Sequence, residues 1–289
     1  WLASYPKSGN TWVRSILTSL FFSKDGNIDF KHLNSFPKYP NPEHLIEFTK
    51  DLHSFDEMSK YWLASQEKLN LNQKTNFLKT HHLLAAWKNN NFTNSKNTLG
   101  AIYIVRDPRT VFTSVKNHFS YTDEEALKMM LDKNWSLING IKTMLSSWGQ
   151  HYFSWVKNNK NIEGIIADHW KSLEHLKNNK NVLVIKYEDM VNDLRKEIYK
   201  ILDYLNKLNI KTNFSEERIN NCIKTSSFSN FQDMEKKGLF DEYLIGDDNQ
   251  KKTFFKFGEK NDFKILLNEK IRYRLEKEFK KEMKELNYL

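Results

Sequence analysis

A single cysteine among 289 residues cannot close an intrachain disulfide. Cys222 also lacks a C-x-x-C neighbour, so neither an oxidising compartment nor a cysteine metal framework is indicated, and a reducing, cytoplasmic setting is the expectation. Glycine and proline are scarce, at 9 and 5 residues, which excludes collagen-like and flexible-linker architectures. No apolar stretch nears the roughly 18 residues that a membrane-spanning helix needs; the longest runs are short ones such as 101–105. With a mean hydropathy of −0.70, the chain reads as soluble, with no membrane span. The 9 histidines form no H-x-x-x-H or His/Cys cluster, so no metal is expected. No internal repeat or Pro/Gly-rich linker divides the chain, and one domain over residues 1–289 is the simplest organisation. Because the chain opens on Trp1, already within a strand-like run, leading residues are expected ahead of it and no leader peptide is judged.

What is present fits a folded core: 39% hydrophobic and 14% aromatic residues. The net charge of +9 would suit a polyanion. Much of the Lys, however, is mixed with Asn in tracts such as 157–161 and 177–181, the composition of solvated faces and loops. No nucleic-acid partner is therefore expected. Trp1–Ser4, Asn76–Thr80, Gly100–Val105 and Val182–Lys186 read as short buried strands. Trp12, Ile16, Leu17, Leu20 and Phe21 fall on one face of a helix after the first strand. Apolar residues every three or four positions predict an amphipathic closing helix over Phe263–Leu286. Strands alternating with helices imply an α/β fold with a mostly parallel sheet covered on both faces. Two stretches of weak periodicity, 25–73 and 235–252, are expected as lids or binding loops.

In such sheets ligands bind beyond the carboxyl ends of the strands. The first strand leads into Tyr5-Pro6-Lys7-Ser8-Gly9-Asn10-Thr11-Trp12 and then a helix. Small residues let backbone N–H groups approach an anion, the helix N-terminus favours it, and Lys7 with the hydroxyls of Ser8 and Thr11 can complete a phosphate cradle. It is not a Walker A loop, since Lys7 precedes the only Gly, Gly9.

This octapeptide resembles the 5′-phosphosulfate loop, YPKSGTTW, of sulfotransferases that use 3′-phosphoadenosine 5′-phosphosulfate, departing from it at Asn10. Further matches follow in the family's order. Arg106, after the strand near 100–105, stands eight residues before Ser114, as in the family's 3′-phosphate motif. A guanidinium grips phosphate in a bidentate way, and a helix can bring the hydroxyl beside it. Lys79-Thr80-His81-His82 looks like the K-T-H segment that carries the general base, which would be His81. Successive side chains along a strand alternate in direction, so only one of His81 and His82 should face the donor. Tyr187-Glu188-Asp189-Met190 is similar to the family's Y-E-D-M, whose Tyr contacts adenine; Glu188 and Asp189 read as structural. Ser226-Ser227-Phe228 resembles the T-S-F element, with Phe228 and Trp12 sandwiching the base. Residues 253–264 look like F-F-R-K-G-x-x-G-D-W-K, which closes over the 3′-phosphate through Lys256, Phe257 and Gly258. Here Lys256 replaces Arg, Phe257 replaces Lys, Asn261 replaces Gly and Phe263 replaces Trp.

The resemblance implies a single α/β domain with a central five-stranded parallel sheet of the P-loop kind. It also implies transfer of a sulfuryl group from 3′-phosphoadenosine 5′-phosphosulfate, as co-substrate and with no metal, to a hydroxyl or amine. In that reading His81 is the base, Lys7 stabilises the leaving group, and Lys79 and Thr11 hold the sulfuryl and 5′-phosphate oxygens. Two other readings stay open at this point. A P-loop nucleotide kinase would need a Walker Lys and a metal-binding Asp, neither of which is evident; a non-catalytic polyanion-binding protein would account for the charge without the motifs. The acceptor-facing stretches leave small molecule, lipid and glycan open, and the family's C-terminal dimer motif is not recognisable in 268–289, so no oligomeric state is assigned.

Overall fold

The computed structural model describes residues 1–156, 170–171, 181–242, 244–245 and 251–289. The Lys/Asn tract at 157–161, all of the second tract but Asn181, and part of the expected loop at 235–252 lie outside these residues. The chain gathers into two compact units whose stretches interleave, one of residues 1–5, 37–105 and 129–212, the other of 6–36, 106–128 and 213–289.

The first unit holds the central sheet. Strands β1 (Leu2–Ser4), β2 (Lys79–Thr80), β3 (Ala101–Val105) and β4 (Val182–Lys186) are all parallel, in the order β2-β1-β3-β4. Every residue of β1 and β3 is buried, as expected of parallel strands covered on both faces, which is why they read as unbroken apolar runs. The sheet has four strands among the described residues, where five were expected. On the outer side of β2 the neighbouring chain makes one parallel bridge, Lys38 with Lys79, fixed by Tyr39 N to Lys79 O (2.8 Å) and Lys79 N to Pro37 O (2.9 Å). β2 itself is shorter than the 76–80 run suggested. In the same unit lie α3 (Trp148–Val156), α4 (Tyr187–Asn192) and α5 (Leu194–Lys207). Helix α5 buries Ile198, Ile201, Leu202 and Leu205, a stripe at helical spacing, and Asp193 caps it by accepting from Lys196 N.

The second unit contains α1 (Asn10–Phe22), α2 (Pro108–Phe119), α6 (Glu216–Thr225) and α7 (Phe228–Lys236). Helix α1 is buried nearly all round, polar residues included, rather than on one face. Its Arg14 is satisfied by Leu33 O (3.0 Å) and Glu242 Oε1 (2.5 Å). The closing helix expected over Phe263–Leu286 is instead three pieces, α8 (Phe263–Leu266), α9 (Glu269–Glu278) and α10 (Lys280–Glu285). Leu267 is extended, and the Asn268 side chain accepts from Ile271 N to start α9 afresh. The apolar spacing runs on across the break: Leu267, Ile271, Leu275, Phe279, Met283 and Leu286 are all buried.

Within 25–73, expected as irregular loop, short helices at Phe30–Ser35, Pro42–Leu45, Phe55–Met58 and Trp62–Asn70 bury Phe30, Leu45, Phe55, Met58 and Trp62. The stretch therefore contributes side chains to the buried interior of the unit each part belongs to. Among the described residues no helix is long and apolar enough to cross a membrane.

Candidate active site

In the second unit, the turn after β1 places Lys7 at φ 66° and Gly9 at φ 107°. Both lie in the left-handed region, which glycine adopts freely and lysine does not, so the conformation is imposed by the loop's packing. Gly9 is the N-cap of α1; no side chain caps the helix and its first turn holds no acidic residue. No side chain thus offsets the positive end of the helix dipole, which favours an anion there. Ser8 is fully buried, and its Oγ has no hydrogen-bond partner among the described residues. A buried hydroxyl without a partner costs about 1–3 kcal/mol, a cost that a phosphate oxygen at this spot would remove. The residues present therefore fit a 5′-phosphate group.

Around this loop the unit collects most of the residues singled out from the sequence. Asn10 and Thr11 are buried in the first turn of α1, and Trp12 is half-buried beside them. Arg106, nearly buried, donates from Nη1 to Lys7 O at 3.3 Å and so braces the loop. The neighbouring Arg109 is structural, spanning Asp107 (2.6 Å), Glu276 (2.7 Å) and Tyr288 O (2.9 Å), while Asp107 caps α2. Lys7 Nζ sits 3.6 Å over the Phe254 ring and 3.4 Å from His118 Nδ1. Phe254 belongs to the segment matched at 253–264, whereas His118 was not legible as a neighbour of Lys7, being 111 positions away.

The closing segment is brought to the same unit. Gly258, at φ 53°, lies so close to Phe228 that a Cβ there would be 2.5 Å from the ring, which explains why only glycine serves at this position. Phe257 is half-buried, and the exposed Lys256 donates to Asn117 Oδ1 at 2.6 Å. Phe255 packs into a cluster with Phe30, Phe231 and Phe240 at centroid distances of 5.8, 5.2 and 5.0 Å. Asn261, standing where the resembled motif has Gly, ties the segment to α2: it donates to Ser114 Oγ (2.8 Å) and Thr110 O (3.0 Å) and accepts from Thr113 Oγ1 (2.5 Å). Ser226 Oγ donates to Ile223 O (2.9 Å), and Ser227 caps α7 by accepting from Asn230 N (3.3 Å). Phe228 opens α7, half-buried.

In the first unit, β2 carries Lys79 and ends beside His81 and His82. His81 is only partly covered, and its Nδ1 lies 2.7 Å from Ser4 O and 3.3 Å from Ser4 Oγ. A carbonyl only accepts, so Nδ1 carries the proton and Nε2 presents a lone pair. Burial first, then the Lys79 ammonium, press the imidazole well below its usual pKa against the opposing pull of Ser4 O. His82 is different. It is fully buried, its Nδ1 donates to Leu83 O (2.7 Å), and its ring stacks on Phe92 at 4.3 Å. Burial pushes its pKa to about 3. Tyr187 begins α4, half-buried, with Glu188 and Asp189 in the same first turn, where their charges favour the helix end. Among the described residues, no group of three or more His, Cys, Asp or Glu side chains is placed to hold a metal ion.

Residues 1–287 match the family model for the sulfotransferase domain. Sulfotransferase 2A1 of Macaca fascicularis is 26% identical over 232 residues, covering 80% of this chain and 66% of that protein, just under two thirds of its length. Amine sulfotransferase of Oryctolagus cuniculus is 25% identical over 293 residues, or 98% of this chain and 79% of the relative. Mouse sulfotransferase SULT7A1 complexed with PAP shares the fold, with a TM-score of 0.56 and 20% identity over 98% of this chain and 83% of that one. Retinol dehydratase in complex with androsterone and PAP does so with a TM-score of 0.57 and 19% identity, covering 98% of this chain and 80% of that one.

Proposed function

Because this chain belongs to the sulfotransferase family, we propose that it transfers a sulfuryl group from 3′-phosphoadenosine 5′-phosphosulfate to the hydroxyl or amine of a small molecule, with His81 as general base. It is an enzyme, a sulfotransferase. The observation that carries the donor side is the buried, unpartnered Ser8 Oγ in a left-handed turn before an uncapped helix. A small acceptor is supported by what similar proteins are named for or hold, an amine in one case and androsterone in another.

The chemistry divides among this chain's residues as follows. Nε2 of His81 takes the acceptor proton as the acceptor oxygen or nitrogen forms its bond to sulfur, while the bond from sulfur to the bridging oxygen breaks. Lys7 neutralises charge growing on that bridging oxygen, and Lys79 and Thr11 hold the sulfuryl and 5′-phosphate oxygens. Arg106 and Ser114 take the 3′-phosphate, Lys256 and Gly258 close over it, and Trp12, Tyr187 and Phe228 hold the adenine. Positioning and preorganised charge then supply most of the acceleration, as in phosphoryl transfer. The test is to incubate the protein with sulfur-labelled donor and a fractionated metabolite extract. Label entering an alcohol or amine fraction supports the reading; label released only as inorganic sulfate contradicts it.

A further inference from the structure

The chain leaves the sheet at Thr80, so the main-chain groups of residues 81–84 must find partners outside the strand ladder. One face of α3 supplies three of them. His151 Nε2 lies 3.0 Å from His81 O, Trp155 Nε1 donates to His82 O at 3.0 Å, and Ser154 Oγ accepts from Leu84 N at 3.1 Å. Positions 151, 154 and 155 are neighbours on a helix surface. All three side chains are buried. Because His81 O can only accept, His151 Nε2 must carry a proton, and its Nδ1 must then accept from the Tyr103 hydroxyl, 2.9 Å away.

We propose that His151 is a positioning residue for His81, holding the base in place through its main-chain oxygen, with Tyr103 fixing the tautomer that lets it do so. The proposal rests on the reading of His81 as the base. His81 is thereby anchored at two points, its ring by Nδ1 to β1 at Ser4 and its main chain by the carbonyl to α3. Tyr103 is the middle residue of β3, in register with Ala3 of β1, so the chain of bonds starts from the best-buried part of the sheet. The ring of His151 is further fixed by Tyr5, which meets it edge-on at 5.6 Å. Burial keeps both partners in the required protonation state: His151 is pushed down to about 4, and the Tyr103 hydroxyl is held well above its usual value.

The experiment is a double-mutant cycle with a rescue. His151→Leu removes the donor to His81 O, and His151→Gln keeps a donor amide in nearly the same place. Expected for His151→Leu is a kcat lower by about 10- to 100-fold with KM and adenosine 3′,5′-bisphosphate affinity little changed, the usual effect of misaiming a reacting group. His151→Gln should recover kcat to within about 5-fold of the parent. In a His81→Ala background, His151→Leu should lower kcat by less than about 2-fold, because its route to the chemistry is already gone. If His151→Leu fails to fold, Tyr103→Phe, which removes the hydroxyl that fixes the tautomer, is run through the same cycle and loses kcat only while His81 is present. Equal losses with and without His81 overturn the positioning role. Wild-type turnover in His81→Ala alone overturns the base reading itself, and the two failures are therefore distinguishable.

Discussion

His81 Nδ1 lies 2.7 Å from the main-chain oxygen of Ser4, the last residue of β1. That one contact decides which ring nitrogen can accept a proton, since the proton must sit on Nδ1 and the lone pair on Nε2. It also ties the candidate base to the strand from which, three residues on, Lys7 follows. The Lys79 and Lys38 ammonium groups oppose its protonation, and burial opposes it most. The imidazole is neutral, and able to accept a proton, at any pH above its lowered pKa. The acid limb of kcat/KM is therefore expected below pH 6.5, with activity level from about 6.5 to 8, where an unperturbed His would already be half protonated at 6.5. A midpoint at or above 6.5 in a pH–rate profile would contradict this.

The two buried histidines predict a pH-dependent stability. His82 and His151 are held near 3 and 4 in the folded protein and return to about 6.5 when unfolded. Below pH 6.5 the unfolded chain binds more protons, so stability is fully present above 6.5 and is lost as the pH falls toward the folded values. Each group should withdraw about 2 kcal/mol between pH 7 and pH 5. Urea unfolding of the parent and of His151→Gln at both pH values checks this. The variant should lose about 2 kcal/mol less than the parent; equal losses would show that His151 is not buried as a neutral ring.

Arg106→Ala should weaken adenosine 3′,5′-bisphosphate by about 2–5 kcal/mol through loss of a charge-assisted contact. Adenosine 5′-phosphate lacks the 3′ group and should lose only the loop brace to Lys7 O, about 1 kcal/mol. Calorimetric titration of both nucleotides separates the two effects. Equal losses would remove Arg106 from the 3′-phosphate.

Much of this arrangement was legible in the residues themselves. The apolar runs at Leu2–Ser4 and Ala101–Val105 are strands buried throughout, and fully covered parallel strands leave no polar face to interrupt the pattern; in Val182–Lys186 only Ile185 is fully buried. His81 and His82 do differ in setting, one partly exposed and the other buried against Phe92, but both stand past the end of the strand at Thr80, where alternation no longer applies. The break in the closing helix was hidden because its apolar spacing continues through Leu267, and a capping Asn268 weighs little against that periodicity. Among the described residues four of the five expected strands are present. A single bridge at Lys38 carries no pattern along the chain. Contacts such as Lys7 with His118 and Ser114 with Asn261 join residues over a hundred positions apart and leave no local trace.

Asn261 makes a stability prediction. It is 6% exposed and uses its amide for three bonds to α2. Asn261→Ala should cost about 2–3 kcal/mol in urea unfolding, since the hydroxyls of Thr113 and Ser114 lose a partner in a buried place. A change below about 0.5 kcal/mol would show that segment 253–264 is not fastened to α2 in this way.

The central claim, that His81 Nε2 is the base of a sulfuryl transfer, is tested most directly by measuring transfer from labelled donor to a panel of small alcohols, phenols and amines by the parent, His81→Ala and His82→Ala, each alongside adenosine 3′,5′-bisphosphate binding. The account predicts that His81→Ala lowers turnover by about 10²- to 10⁴-fold with nucleotide affinity nearly unchanged. His82→Ala should instead lower the melting temperature, through loss of the ring packed on Phe92, and leave the turnover of the folded fraction within about 10-fold. Turnover retained in His81→Ala, or lost mainly in folded His82→Ala, would contradict it.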